Sequence, residues 1–254
     1  MLTRKNLISY REITGFNLGQ IEKDYLQHIF LLNFYRKIKD ELVFYGGTAL
    51  QKTYGLNRFS EDLDFTFKSN IDTESVLNSV KTNMKIFGCE TLKKKKKEED
   101  LGTNYLLKIK GPLLDGTERS HSYIGLDIGK REKVELPINI NTITPIYEDL
   151  PPYTAPVMAI PEIMAEKIRA IFTRDKARDI YDLWFLIQKK NRVPVSLINS
   201  KLKFYNNFFN QKEFEKQIEK KEKIWKQEME QHIPFLISFG EIKNSIFSQQ
   251  FIEL

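Results

Sequence analysis

Apolar positions set out the first elements. Ile21, Tyr25, Ile29, Leu32 and Tyr35 recur at helical spacing, which predicts a helix over residues 21–39. Leu42-Val43-Phe44-Tyr45 is a short continuous apolar run of the kind a buried strand shows, and it delivers the chain to the pair Gly46-Gly47. A short helix is expected over 48–54, stopped by Gly55. Apolar residues alternate with polar ones from Leu63 to Phe67, the period of a half-buried strand. A second helix is expected over 72–87, with Asp72 or Thr73 as its cap and Glu74 in its first turn. Strands are expected over 105–110, 122–128 and 134–140. Pro145, Pro151, Pro152, Pro156 and Pro161 then break regular structure and mark a domain boundary. Beyond them the pattern is helical, over 162–172, 177–190, 195–204, 212–231 and 241–251. The expected fold class is therefore α+β: an α/β lobe with a small mixed sheet over 1–155, then an α-helical lobe over 156–254.

Composition narrows the setting. The chain of 254 residues is 41% hydrophobic and 12% aromatic, enough for a core and too much for a disordered protein. No apolar run approaches the roughly 18 residues of a membrane span, and the N-terminus lacks a signal-peptide stretch. A soluble, cytoplasmic protein without a membrane partner is expected. Cys89 is the only cysteine, which excludes an internal disulfide and a multi-cysteine zinc site; His28, His121 and His232 are too scattered for a histidine centre. Metal chemistry must then rest on carboxylates. The net charge of +6 favours an anionic partner. Part of the excess lies in five lysines, Lys93 to Lys97, followed by Glu98, Glu99 and Asp100. They read either as a solvated loop or strand end, or as a patch that attracts an RNA backbone.

Candidate chemistry gathers around the glycine pair. Asp62 and Asp64 stand two apart, so in an extended strand they project to one side while Leu63 points into the core. Two carboxylates on one face repel unless a cation joins them, and magnesium suits an all-oxygen site that also binds phosphates. A glycine corner nearby lets backbone N–H groups approach such phosphates. In 122–128, Ile124, Leu126 and Ile128 share one face, which puts Asp127 on the other as a third carboxylate or as an ordinary solvent-facing one. In the helix over 162–172, Lys167 interrupts the apolar stripe of Ile163, Met164, Ile168 and Ile171. It must either reach solvent or meet an anion. Arg174 lies seven residues on, close to the same stripe. Arg178 and Asp182 stand four apart, the spacing of a surface ion pair, with Asp179 on the margin of an apolar face.

Gly46-Gly47 followed by Asp62-Leu63-Asp64 resembles the glycine-corner and Asp-x-Asp signature of nucleotidyltransferases of the DNA polymerase β type. The fuller wording, Gly-Gly-Thr-Ala-Leu…Arg-Phe-Ser-Glu-Asp-Leu-Asp-Phe with the later Glu-Lys-Ile-Arg-Ala…Arg-Asp-Ile-Tyr-Asp-Leu, is similar to the AbiEii-like (MenT-like) nucleotidyltransferase toxins. The similarity covers about residues 44–187 and fades after Lys190. It implies a polymerase β-like lobe in which Asp62, Asp64 and Asp127 hold two magnesium ions, with manganese as a substitute. Gly46, Gly47 and Thr48 would cradle a nucleoside triphosphate, Arg58 and Ser60 would order the loop, and Asp127 would help to deprotonate the acceptor. Lys167 and Arg174 would neutralise phosphate, Lys167 from across the cleft, and Asp179 would serve activity. The implied role is transfer of a nucleoside monophosphate to RNA such as tRNA by a toxin with a cognate antitoxin. A nucleotide-binding protein without catalysis, and a transferase acting on a small molecule or a protein, remain open.

Overall fold

A computed structural model describes residues 1–99, 102–130 and 133–253. Asp100, at the end of the lysine-rich run, and Arg131 lie outside the described residues, as do the side chains of Lys93, Lys94, Lys95 and Glu99. The chain forms two compact units: Met1–Gly55, Phe59–Val134 and Ile138–Val157 make the first; Leu56–Arg58, Glu135–Pro137 and Met158–Leu254 make the second.

The first unit opens with α1 (Arg4–Ser9), α2 (Arg11–Thr14) and α3 (Leu18–Tyr35). Then come β1 (Leu42–Tyr45), α4 (Gly46–Tyr54), β2 (Leu63–Phe67), α5 (Thr73–Ile86), β3 (Glu90–Glu99), β4 (Gly102–Lys110), β5 (Ser122–Gly129), β6 (Asn139–Ile143) and β7 (Tyr153–Val157). The helices start where the side chains dictate: Asn17 caps α3 through a capping box with Gln20, and Asp72 caps α5 by accepting from Glu74 and Ser75. The strands form one seven-stranded mixed sheet in the order β3-β4-β5-β2-β1-β7-β6. Phe34 of α3 meets Phe65 of β2 at 4.9 Å between ring centroids, and Phe65 meets Phe44 of β1 at 5.4 Å. Leu63, Phe65, Ile124, Leu126 and Ile128 are all buried, so this face of the sheet carries the core.

Four elements depart from the sequence pattern. The lysine run is part of strand β3, at one edge of the sheet, because the ladder to β4 supplies what its charges do not signal. Strand β7 lies inside the proline-rich stretch, with Pro156 opposite Ile140 of β6. The strand expected over 134–140 begins only at Asn139, because the N–H groups of Glu135 and Leu136 donate to the Glu162 carboxylate at 2.9 and 3.0 Å instead of to a ladder. The helix expected over 212–231 breaks at Lys221 into α9 and α10, whose bounds follow.

The second unit contains α6 (Ile160–Thr173), α7 (Arg178–Gln188), β8 (Val193–Pro194), α8 (Val195–Lys203), α9 (Gln211–Lys220), α10 (Glu222–Met229), α11 (Phe239–Phe247) and β9 (Ile252–Glu253). Pro161 sits in the first turn of α6, where its missing N–H costs nothing. Lys221 is buried and donates to the Ile171 carbonyl at 2.9 Å, which ties the α9–α10 junction to the end of α6.

The first unit also buries charge. Asp24 of α3 is ion-paired with Lys52 of α4 and accepts from the Tyr147 hydroxyl at 2.8 Å. Burial by itself would raise the Asp24 carboxyl; the Lys52 ammonium outweighs it and holds the group below the usual range. His28, one turn on, shares a hydrogen bond with the Tyr153 hydroxyl at 2.9 Å, and burial first, then Lys52, pushes its imidazole down to about 3. His28 is therefore neutral at pH 7, and Asp24 owes little to it. An unfolded histidine takes up a proton near pH 6.5 that the folded one refuses until about 3. The stability that His28 contributes should thus be lost as pH falls through that window. Melting temperatures from pH 7 to 4 should fall more steeply for the wild type than for His28→Asn; parallel slopes would refute the assignment.

Candidate active site

Strands β2 and β5 run parallel with Asp64 directly opposite Asp127. Tyr45 of β1 pairs with Asp64 on its other side, and Asn104 of β4 pairs with Asp127. Side chains opposite one another in register share a face. Tyr45, Asp64, Asp127 and Asn104 therefore form one row across four strands, on the face away from Phe65 and Ile128. Asp64 and Asp127 are half-buried and Asp62 is exposed, whereas their strand neighbours Leu63 and Leu126 are buried.

Two glycines make room for these carboxylates. Gly46 has φ +77°, and a Cβ built there would run into the Asp64 carboxylate. Gly125 lies in extended backbone, yet a Cβ there would run into the Asp62 carboxylate. Its only signal in the sequence is a glycine inside a strand, a mark of close approach. Helix α4 begins at Gly46 with no side-chain cap, so its first N–H groups are not taken by one. Gly47 and Thr48 are buried in its first turn, and the Thr48 hydroxyl donates to the Asp62 carbonyl. Ser60 is buried just before the acidic pair. Among the described residues, no three His, Cys, Asp or Glu side chains are gathered closely enough to hold a metal by themselves. The all-oxygen donors and the space kept open by two glycines still suit magnesium, which commonly takes one or two carboxylates and completes its shell with water and substrate phosphate.

The second unit holds the remaining candidates in one ion network. Arg58, although it precedes Asp62 by only four residues in sequence, belongs to this unit and is 2% exposed. Its guanidinium grips Asp182 of α7 with two bonds, at 2.6 and 2.7 Å. Lys167 of α6 lies 2.6 Å from Asp182 and 3.0 Å from Asp179, and both carboxylates are fully buried. Arg174, just past the end of α6, closes the network on Asp179 at 2.7 Å with its side chain 48% exposed. Desolvation would raise Asp179, but Lys167 first and then Arg174 hold it far below the carboxylate range; Asp182 is held down in the same way by Arg58 and Lys167. Lys167 thus meets anions of its own chain. The surface pair expected between Arg178 and Asp182 is replaced: Arg178 lies 3.9 Å from Glu228, and Asp182 is a buried partner of Arg58 and Lys167. The cause is the tertiary position of α7, which turns Asp182 inward.

A family model described as nucleotidyl transferase AbiEii toxin, type IV toxin–antitoxin system, matches residues 32–245. The chain belongs to this AbiEii family. It is accordingly a nucleotidyltransferase of the toxin class, and its fold agrees. MenT4, a nucleotidyltransferase toxin from Mycobacterium tuberculosis H37Rv, matches with a TM-score of 0.60 at 22% identity, over 78% of this chain and 68% of that one. JHP933 from Helicobacter pylori matches with a TM-score of 0.61 at 21% identity, over 91% and 90%. At such identities the likeness is one of fold. No curated protein matches the chain. Among the described residues, no helix is long and apolar enough to cross a membrane.

Two outcomes test this AbiEii-family geometry. Gly46→Ala and Gly55→Ala both place a side chain at positive φ, +77° and +74°, but only the first meets a neighbour. Each should lose about 1–2 kcal/mol in denaturant melts, with Gly46→Ala losing clearly more; equal losses would show that Asp64 does not crowd the site. Lys167→Met leaves Asp179 and Asp182 short of a buried cation and should cost about 3–5 kcal/mol. Arg174→Ala, at the exposed end, should cost much less, and the reverse order would refute the network.

Proposed function

We propose that the chain transfers a nucleoside monophosphate from a nucleoside triphosphate to an RNA acceptor, tRNA in particular, in a magnesium-dependent reaction on the face that carries Asp62, Asp64 and Asp127. The single observation that carries this reading is the parallel register of β2 and β5, which sets Asp64 beside Asp127. Like charges so close are costly without a cation. Asp62, Asp64 and Asp127 would hold two magnesium ions, or manganese in their place. Metal held there would supply Lewis acidity to the phosphates and lower the pKa of the acceptor hydroxyl.

The chain's own groups do the rest. Backbone N–H groups at the uncapped start of α4, from Gly46, Gly47 and Thr48, would point at the triphosphate, the arrangement that favours anions at a helix N-terminus. The Thr48 hydroxyl and the bond from the Ser60 N–H to Gln51 keep the segment before β2 in place, and Arg58 anchors its start through Asp182. Asp127, in the centre of the row, would accept the proton of the attacking hydroxyl. Arg174 offers half of its side chain to solvent and would neutralise phosphate, and Asp179 holds its guanidinium. The net charge of +6 supports an RNA acceptor. Family membership implies a triphosphate substrate and a neutralising antitoxin, and such a toxin would act in the cytoplasm.

Purified protein incubated with α-labelled nucleoside triphosphates, magnesium and total RNA should label a tRNA-sized species. Asp62→Asn and Asp64→Asn should abolish that label while melting cooperatively. Arg174→Ala should reduce it about tenfold to a hundredfold, the value of a charge-assisted contact. Near-normal labelling by both aspartate variants would overturn the reading.

A further inference from the structure

Strand β2 starts at Leu63, so the ladder of the sheet does not hold the backbone that delivers Asp62. Side chains from two helices hold it. The Ser60 N–H donates to Gln51 Oε1 of α4 at 3.1 Å. Gln27 Nε2 of α3 donates to the carbonyls of Ser60 and Glu61, at 3.0 and 2.9 Å. Both contacts go to acceptors, which settles how the Gln27 amide is turned; its Oε1 is buried without a hydrogen-bond partner. Gln27 is fully buried and lies one turn after Asp24 on the same side of α3. Asp24 in turn fixes Gln51, whose Nε2 donates to Asp24 Oδ1 at 2.9 Å, while Lys52 and Tyr147 hold the carboxylate.

We propose that Gln27 and Gln51, backed by Asp24, are positioning residues that set the Asp62 carboxylate for metal by holding the Ser60–Glu61 backbone. Gln27 and Asp24 precede residue 32, where the match to the AbiEii family begins, so they lie outside the matched region. The inference rests on the metal reading of Asp62 given above. Outer partners that orient a metal ligand commonly command 10–100-fold in affinity, and these act one peptide bond before the ligand.

The test compares wild type, Gln27→Met, Gln51→Met, Asp62→Asn and the Gln27→Met/Asp62→Asn double variant. Three measurements apply: Mn2+ affinity by calorimetry, amide hydrogen exchange, and thermal melting. Gln27→Met should weaken Mn2+ binding by about tenfold and speed exchange at residues 60–63, with α3 still protected. In the Asp62→Asn background the same substitution should weaken it no further, because the effect passes through that carboxylate. Gln51→Met should act in the same direction and gives the answer if Gln27→Met fails to fold. Folded variants with wild-type affinity and unchanged exchange at 60–63 would overturn the proposal. Asp62→Asn binding Mn2+ as tightly as the wild type would overturn the metal reading, and the role through Asp62 with it. The two failures are told apart by whether the aspartate variant or only the glutamine variants leave affinity unchanged.

Discussion

The parallel register of β2 and β5 is the constraint on which the first unit depends at Asp64 and Asp127. It puts them side by side on one face of the sheet. The opposite face is closed over by Phe34, Phe65 and the buried aliphatic residues of β5, so folding energy is gathered there and the acidic row is left accessible. Gly46 and Gly125 remove the side chains that would displace the acidic groups. Apolar burial and carboxylate charge therefore occupy two faces of one sheet, and the alternation of the strand separates them.

Both units bury charge, and in both the partners come from distant parts of the chain. Asp24 meets Lys52 and Tyr147; Asp182 meets Arg58 and Lys167. An unpaired charge in such places would cost several kcal/mol, so each network is satisfied in full or the element cannot dock. These networks also reach the segment between α4 and β2 from its two ends. Arg58 fixes its start within the second unit, while Gln51 and Gln27 fix Ser60 and Glu61 within the first. This eight-residue connection without regular structure is thereby held by side chains rather than by a ladder.

The lysine of α6 shows how a correct pattern can carry an incomplete meaning. Lys167 interrupts an apolar stripe and does meet anions, as its position requires; those anions are Asp179 and Asp182. The exposed end of the network is Arg174, which breaks from the helix into extended backbone at its cap. The buried charge of Lys167 and the half-exposed charge of Arg174 are joined here through a shared carboxylate, so altering one alters the other.

Local patterns were enough to define the apolar strands β1, β2 and β5, the helices α3, α5, α6 and α7, and the acidic pair after a glycine corner. Each depends on spacing within a few residues, and spacing is what a sequence records directly. The lysine-rich strand β3, the proline-bearing β7 and the late start of β6 were hidden, because a ladder or a distant carboxylate decides them and neither leaves a local period. Asp182 looked like half of a surface pair for the same reason: its partner Arg58 lies 124 residues away. The sequence by itself determined which side chains could do chemistry; tertiary structure decided which of them stand together, since strand register and long-range burial exist only once the chain has folded.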